Sequence, residues 1–234
     1  MKKIISFLLI VVLLLSMSGC KKKVEKESDA TKFKQEYESI NNKVNEKNNK
    51  KYRSITISKN NPFVYSTAEK IVDRIKEKET FLVYFGFKEC PWCRSILEQL
   101  TKASIDLSIA KIYYVDVTGI RDVKELDEDN NIITKEKGTE AYLELIELLK
   151  DVLEDYTLTK DEEKIEVGEK RIYAPNVVAI QNGKALQLET GIPEELTDPY
   201  MKLTESMKKY TYNKFKCLIK CIEEEKTTCQ KNSC

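Results

Sequence analysis

Residues 80–93 read Thr-Phe-Leu-Val-Tyr-Phe-Gly-Phe-Lys-Glu-Cys-Pro-Trp-Cys, an apolar run that leads into two closely spaced cysteines. A nearly continuous apolar run is typical of a strand that is buried on both faces of a sheet. Pro91 then occupies the position where a helix would start, and proline is favoured there because the first N–H groups of a helix have no intrahelical partner. The stretch therefore predicts a buried strand at 80–86 followed by a helix that begins at the cysteine pair.

The segments that follow extend this pattern into a sheet. Apolar residues recur on one helical face after the cysteines, at Ile96, Leu97 and Leu100. A second apolar run follows at 111–117, and two strands joined through a helix are expected to be parallel, with a right-handed crossover. Further on, Asn182-Gly183 separates two apolar runs, which is the pattern of a tight antiparallel hairpin. The sequence therefore predicts an α/β fold with a central mixed sheet flanked by helices.

The composition excludes several kinds of chemistry. The 234 residues include 40 Lys and Arg against 39 Asp and Glu, and there is no histidine. The balanced charge argues against nucleic acid as a partner. Without histidine, Cys–His and Ser–His catalysis and histidine-ligated metal sites are excluded. Cysteine is therefore the reactive residue type to follow.

The first twenty residues have the pattern of a bacterial lipoprotein signal. The apolar run over 4–15 follows two lysines and is shorter than the roughly 18 residues that a bilayer span requires. Met17-Ser18-Gly19-Cys20 resembles the lipobox, with methionine where leucine is usual. We predict a signal peptide over 1–19, an acylated Cys20 inserted in the lipid bilayer, and a mature chain on the extracytoplasmic face of the cell membrane, where disulfides can form. A transmembrane anchor and an ordinary secretory signal are the alternatives.

The mature chain divides into three predicted parts. Residues 20–51 are rich in Lys, Glu and Asn and predict a charged tether, of which 32–43 has the spacing of a short docking helix. Residues 52–210 carry the patterns of the folded domain. Within them, about 119–171 form an expanded insertion, since this length is too great for a plain loop. Residues 211–234 predict a helical, cysteine-rich tail.

The Cys-x-x-Cys spacing is typical of a redox site when it opens a helix. Free N–H groups and the helix dipole favour a thiolate at that position. We assign Cys90 as the attacking thiolate, with a lowered pKa, and Cys93 as the buried resolving thiol. Zinc knuckles share the spacing, but zinc would need two more ligands from tail cysteines or carboxylates. We therefore predict a redox-active Cys90–Cys93 disulfide, with no metal and no other cofactor.

Taken together, these motifs resemble thioredoxin in order and spacing. The resemblance rests on 81–86, Cys90-Pro91-Trp92-Cys93, 111–117, Tyr173-Ala174-Pro175-Asn176 and Asn182-Gly183, and covers roughly 54–206. Within that superfamily the chain is most similar to thioredoxin-like lipoproteins and bacteriocin transport accessory-type proteins of Gram-positive bacteria. The resemblance implies a thioredoxin-like fold with an expanded insertion before a cis-proline, a helical C-terminal tail, and thiol–disulfide oxidoreductase activity.

The resemblance also implies how substrate is bound. Pro175 is expected to be the family's cis-proline, with the Ala174 backbone placed to pair with an extended substrate chain; a trans proline at a strand entrance is the alternative. Trp92 is expected to offer an exposed apolar platform. The expected partners are an exported protein or peptide with thiols or disulfides, and a membrane redox partner of unknown identity. Thioredoxins have a buried aspartate where this chain has Tyr84, which argues against proton transfer through a carboxylate there.

The other cysteines are expected to form a structural clip. Without Cys20 six cysteines remain, and an even number favours pairing in an exported protein. Cys217 and Cys221 share a helical face but lie too far apart to bond each other comfortably. Pairing of Cys221 with Cys229 and of Cys217 with Cys234 would close a helical hairpin, and a Cys229–Cys234 bridge is the competing arrangement. Electron exchange with Cys90 and metal binding are the other roles considered. We expect truncation after about Tyr210 to lower the stability somewhat and to leave turnover of a generic disulfide substrate nearly intact.

Three classes of function are compatible with these features. We favour an oxidoreductase that acts on exported protein thiols. The alternatives are a non-enzymatic peptide-binding accessory module and a metal-handling lipoprotein that uses its six thiols. Redox cycling of Cys90 and Cys93 separates the first class from the second, and the metal content of the purified protein separates out the third.

Overall fold

The computed structural model describes residues 27–161 and 163–223, which form five helices and eleven strands. The helices are α1 (Asp29–Glu38), α2 (Ala68–Lys76), α3 (Pro91–Asp106), α4 (Glu140–Leu149) and α5 (Glu205–Glu223). The strands are β1 (Val44–Asn45), β2 (Lys50–Lys51), β3 (Phe63–Tyr65), β4 (Phe81–Gly86), β5 (Ile112–Asp116), β6 (Val123–Leu126), β7 (Ile132–Glu136), β8 (Glu154–Lys160), β9 (Glu163–Arg171), β10 (Asn176–Gln181) and β11 (Lys184–Glu189). Within these ranges no helix is long and apolar enough to cross a bilayer.

A five-stranded mixed sheet organises the domain, in the order β11-β10-β4-β5-β3. Strands β3 and β4 are parallel to β5, whereas β10 is antiparallel to both β4 and β11. Asn182 and Gly183 join β10 to β11 with φ angles of 51° and 74°, the left-handed conformation that a two-residue hairpin of this kind requires. The predicted α/β fold with a central mixed sheet flanked by helices is confirmed.

Helices cover both faces of this sheet, which explains why all six residues of β4 are buried. Side chains of β4 alternate between the faces, so that Leu82 and Tyr84 point to the layer of α1, α3 and α5. Val83 and Phe85 point to the opposite layer, formed by α2 and α4. The cysteine pair belongs to the first of these two layers.

The N-terminal segment contributes to the core, which corrects the predicted start of the domain at residue 52. Helix α1 begins at Asp29, where the Ser28 side chain accepts a hydrogen bond from the Thr31 N–H at 3.2 Å. Phe33 and Tyr37 on α1 are completely buried. The helix predicted at 32–43 is present but starts and ends a few residues earlier, at Asp29 and Glu38. Its apolar side chains are part of the core, whereas the sequence predicted a helix docked on the surface of the domain.

The insertion consists of α4 and two antiparallel hairpins, β6–β7 and β8–β9. Helix α4 packs on the sheet through Leu145 and Leu149. An ion pair joins the two ends of the insertion, with Arg171 Nη1 and Asp122 Oδ1 3.0 Å apart and both side chains about nine-tenths buried. The ion pair thus closes the insertion at its base, at the end of the strand that precedes Pro175.

The predicted boundary at residue 211 falls inside α5 and is wrong as a structural division. Phe215, Leu218 and Ile219 are fully buried in the layer that contains α3. Helix α5 is therefore a core element, and the expectation that truncation after Tyr210 leaves turnover intact does not agree with this packing.

Candidate active site

Cys90 and Cys93 lie where β4 ends and α3 begins. Both are free thiols, and both are buried, with 3% of Cys90 and none of Cys93 exposed. Cys90 is the N-cap of α3, and its sulfur accepts a hydrogen bond from the Cys93 N–H at 3.1 Å. Pro91 occupies the first turn, where no N–H partner is needed. The start of the helix therefore places a backbone N–H donor on the Cys90 sulfur, where it stabilises a thiolate.

The surroundings shift the pKa values of the two thiols in opposite directions. Burial raises the pKa of Cys90, but hydrogen bonds from the Cys93 thiol and from the Cys93 and Trp92 N–H groups, with the charge of Arg121, bring it below its ordinary value. Burial raises the pKa of Cys93, and the neighbouring Cys90 raises it further. These directions agree with attack by Cys90 and resolution by Cys93.

The segment before β10 brings a backbone carbonyl to the reactive sulfur. The Ala174–Pro175 peptide bond is cis, as the resemblance implied. The Cys90 thiol donates a hydrogen bond to the Ala174 carbonyl oxygen at 3.3 Å. The structure therefore brings Cys90, Cys93, Ala174 and Pro175 together in one site, although they come from segments about 80 residues apart in sequence.

Trp92 is half-buried, which corrects the expectation of an exposed apolar platform. It packs against a small apolar cluster formed by Leu196 and Leu203, in the segment before α5, and by Met207 in the first turn of α5. The cluster covers part of the indole. Only the uncovered part of the ring remains available to a substrate.

Arg121 is a site residue that the sequence did not indicate. It lies near the start of the insertion and is half-buried, with its guanidinium 5.7 Å from the centre of the Phe87 ring. Burial lowers the pKa of Arg121, as does the charge of Arg171. An arginine remains protonated even so, and its charge acts on both Cys90 and Cys93. The insertion thus supplies a cation to the thiolate.

Replacing Arg121 by Gln is expected to raise the pKa of Cys90, because a positive charge that favours the thiolate is removed. The rate of Cys90 alkylation near neutral pH should fall by roughly two- to fivefold. Alkylation by iodoacetamide across a pH series measures this. Lys88→Gln is the matched control, since Lys88 is half-buried like Arg121 and is paired with Glu89, the Nζ and Oε1 atoms lying 3.5 Å apart. Equal alkylation profiles for the Arg121→Gln and wild-type proteins would contradict the assigned role.

Tyr84 occupies the buried position beside the cysteines. Its hydroxyl lies 3.1 Å from the hydroxyl of Tyr37 on α1. A Cβ atom at Gly86 would lie only 2.2 Å from the Tyr84 hydroxyl, so glycine at this position leaves room for the phenol. The Tyr84 hydroxyl lowers the pKa of Cys93 and so opposes the larger increase that burial causes.

Arg94, directly after the cysteine pair, fastens the N-terminal segment to α3. The side chain is 1% exposed and donates to the Tyr37 carbonyl at 2.7 Å, to the Arg53 carbonyl at 2.7 and 2.9 Å, and to Asn41 Oδ1 at 2.5 Å. The oxygens of Tyr37 and Asn41 lie on the segment predicted to be a tether, and that of Arg53 lies two residues beyond its end. Arg94 therefore couples the position of α1 to the helix that carries the thiols.

The remaining predicted site cysteines are only partly within the described residues. Cys217 and Cys221 lie on α5 and are disulfide-bonded. Cys229, Cys234 and the lipidation candidate Cys20 lie outside the described residues. The tail pairing and the acylation therefore stay predictions.

Comparison of the sequence with known proteins identified no relative. The sequence matches no protein-family model and no curated protein. The residues that the structure describes form a mixed α/β protein with a five-stranded sheet and five helices, and two neighbouring free thiols lie at the start of α3.

Proposed function

We propose that this chain is a thioredoxin-like, extracytoplasmic thiol–disulfide oxidoreductase anchored in the membrane through an acylated Cys20. The observation that carries the proposal is the geometry of Cys90. Its sulfur caps α3, accepts the Cys93 N–H at 3.1 Å, and has a lowered pKa beside a partner thiol whose pKa is raised. A nucleophile that ionises readily next to a protonated resolving thiol is the arrangement that ordered exchange requires.

The reaction proceeds through two exchanges. The Cys90 thiolate attacks one sulfur of a substrate disulfide, the substrate S–S bond breaks, and one substrate thiolate leaves. The Cys93 thiolate then attacks Cys90 Sγ in the mixed disulfide, and the second substrate thiolate leaves as the Cys90–Cys93 bond forms. Two electrons pass from the cysteine pair to the substrate, and the same steps in reverse oxidise a dithiol. No cofactor beyond the cysteine pair is required.

The substrate in this proposal is an exported protein or peptide that presents its disulfide in an extended segment. The Ala174 carbonyl, 3.3 Å from Cys90 Sγ, is available for a main-chain hydrogen bond once Cys90 ionises and no longer donates to it. The uncovered part of Trp92 supplies apolar contact. A membrane redox partner then returns Cys90 and Cys93 to their starting state.

Equilibration of the purified protein in glutathione buffers of graded potential tests this function. Cys90 and Cys93 should oxidise together as one two-electron couple, which alkylation followed by mass spectrometry measures separately for each cysteine. The couple should also transfer its oxidation state to a small disulfide-bearing protein. A pair that never cycles, in a protein that binds extended peptides, would favour the accessory-module alternative, and stoichiometric bound metal would favour the metal-handling one.

A further inference from the structure

Arg121 is the one arginine whose guanidinium donates no hydrogen bond to the residues that the structure describes. The other arginines of the chain all donate from the side chain to a carbonyl or carboxylate oxygen, namely Arg53, Arg74, Arg94 and Arg171. Within the same ranges Arg121 forms no ion pair, and its guanidinium lies over the Phe87 ring, 5.7 Å from the centroid. The N–H donors of this half-buried cation are therefore not used by the described part of the chain.

The acidic side chains next to Arg121 and next to Cys90 are paired with other cations. Asp122 accepts from Arg171 Nη1 at 3.0 Å through Oδ1 and from Arg171 Nη2 at 3.2 Å through its backbone carbonyl. Glu89, beside Cys90, is paired with Lys88. Arg121, Asp122 and Arg171 together therefore carry one positive charge that no described residue compensates by an ion pair.

Arg121 and Cys90 lie at the same edge of the sheet. Strands β4 and β5 are parallel, and Cys90 follows the carboxyl end of β4 while Arg121 follows that of β5. The Val117 N–H donates to the Gly86 carbonyl at 3.3 Å, so the two segments leave the sheet side by side. Phe87 connects them, since its ring contacts Arg121 and its carbonyl accepts from the Cys90 N–H at 3.2 Å. Open α/β sheets bind ligands at this edge, outside the carboxyl ends of the strands.

The charge of Cys90 changes during thiol–disulfide exchange, whereas the charge of Arg121 does not. Before the attack, the Cys90 thiolate supplies a negative charge that acts on Arg121. Once Cys90 is bonded to a substrate sulfur, this negative charge has left with the other substrate thiolate. Arg121 is then a half-buried cation beside an uncharged disulfide, which costs free energy unless another anion replaces the thiolate. The substrate is the molecule that can bring this anion to the site.

We propose that Arg121 binds a carboxylate of the substrate, so that the preferred substrate is an exported protein or peptide with Asp or Glu close to the cysteine that Cys90 attacks. The inference rests on the proposed function of the cysteine pair and adds the class of substrate. A guanidinium and a carboxylate form two parallel N–H···O bonds, and the unused donors of Arg121 allow this geometry. The ion pair stabilises the mixed disulfide because it replaces the charge that Cys90 loses.

Peptides activated with 2-thiopyridine report the attack by Cys90 directly. Each peptide has a single cysteine, whose sulfur is bonded to the uncharged leaving group. The Cys90 thiolate attacks the peptide sulfur, the bond to the thiopyridine sulfur breaks, and the thiopyridine leaves with the electron pair and takes a proton from water. Cys93 then loses its proton to solvent, attacks Cys90 Sγ and releases the peptide thiolate. Two electrons pass from the cysteine pair to the pyridyl disulfide.

The experiment mixes the reduced full-length protein with peptides that have Glu at one of the two positions on either side of the cysteine, and with the same peptides carrying Gln. Absorbance of the released thiopyridine gives a second-order rate constant for each, and the ratio between the Glu and Gln peptides is the acidic preference. A change in the pKa of Cys90 cancels in this ratio, because both peptides react with the same thiolate. The Cys90→Ser protein gives the background from the other cysteines.

Three variants assign the acidic preference to one side chain. Arg121→Gln removes the charge, and it leaves no described acceptor without its donor, so we expect the fold to be kept, which circular dichroism checks. Arg121→Lys keeps the charge but not the two parallel hydrogen bonds. Lys88→Gln is the matched control, since it removes a nearby half-buried cation that is already paired with Glu89.

We expect wild type to react about fivefold faster with the best-placed Glu peptide than with its Gln counterpart at low ionic strength. The preference should fall below about twofold in Arg121→Gln, remain in part in Arg121→Lys, and be unchanged in Lys88→Gln. High salt should weaken it in wild type, which tests the ion pair without any substitution.

Two results would overturn the assignment of the carboxylate site. One is the absence of an acidic preference in wild type at every position, and the other is a preference that Arg121→Gln leaves unchanged. Failure of every peptide to release thiopyridine above the Cys90→Ser background would instead overturn the proposed function itself.

Discussion

Truncation of the chain after Tyr210 is expected to abolish cooperative folding. The deletion removes Phe215, Leu218 and Ile219, which are fully buried against α3 and the sheet. Loss of each such side chain typically reduces the free energy of unfolding by roughly 2–5 kcal/mol. Domains of this size have a free energy of unfolding of about 5–15 kcal/mol. The combined loss is therefore as large as the whole free energy of unfolding.

Circular dichroism and urea denaturation in the presence of reductant measure this effect. A chain truncated after Glu223 is the matched control, since it retains α5 and loses only the residues beyond it. We expect the control to unfold cooperatively and the shorter chain to show no transition. A chain ending at Tyr210 with a normal urea midpoint would show that α5 is dispensable for the fold.

Replacement of Cys90 by Ser is expected to reduce thiol–disulfide exchange by roughly a thousandfold or more, because a serine hydroxyl does not ionise near neutral pH and is a poor nucleophile towards sulfur. Cys93 does not replace Cys90, since it is fully buried and its pKa is raised. Turnover of a disulfide-bearing protein substrate, followed by thiol release, measures the loss.

Cys217→Ser is the control for this variant, because Cys217 lies on α5 and is disulfide-bonded. We expect Cys217→Ser to keep most of the turnover. Turnover within tenfold of wild type in the Cys90→Ser protein would assign the nucleophile to another residue.

The centre of the fold was predictable because its signals are local. The apolar run before Cys90 predicts a strand at 80–86, and β4 extends over Phe81–Gly86. The second run predicts 111–117, and β5 extends over Ile112–Asp116. In both cases a single short segment contains the apolar pattern and its boundaries, so no knowledge of distant residues is needed.

The two ends of the domain were not predictable in the same way. Helix α1 has few apolar residues among many charged ones, and the burial of Phe33 and Tyr37 depends on contacts with β3, β4 and β5. Helix α5 was recognised as a helix, but its buried face became apparent only from its packing on α3. The sequence of a charged amphipathic helix does not predict tertiary contacts of this kind.

The residues of the candidate site also fall into two groups, those that sequence motifs indicate and those that only tertiary contacts bring to the site. Cys90, Cys93 and Pro175 are carried by motifs, so the sequence indicated them. The sequence showed Tyr84 as a departure from the thioredoxin pattern, but not its partner Tyr37, which is 47 residues away. Nothing in the sequence marks Arg121, because a single arginine in an insertion contributes to the site only through the path that the insertion takes.

The most direct test of the central claim is to map the mixed disulfide that forms in the Cys93→Ser protein. Without a resolving thiol, an adduct with a disulfide-bearing substrate should persist, and peptide mapping by mass spectrometry identifies the linked cysteine. The proposed mechanism predicts an adduct on Cys90 and none in the Cys90→Ser protein. Equal trapping by both variants, or an adduct on Cys217 or Cys221, would contradict attack by Cys90.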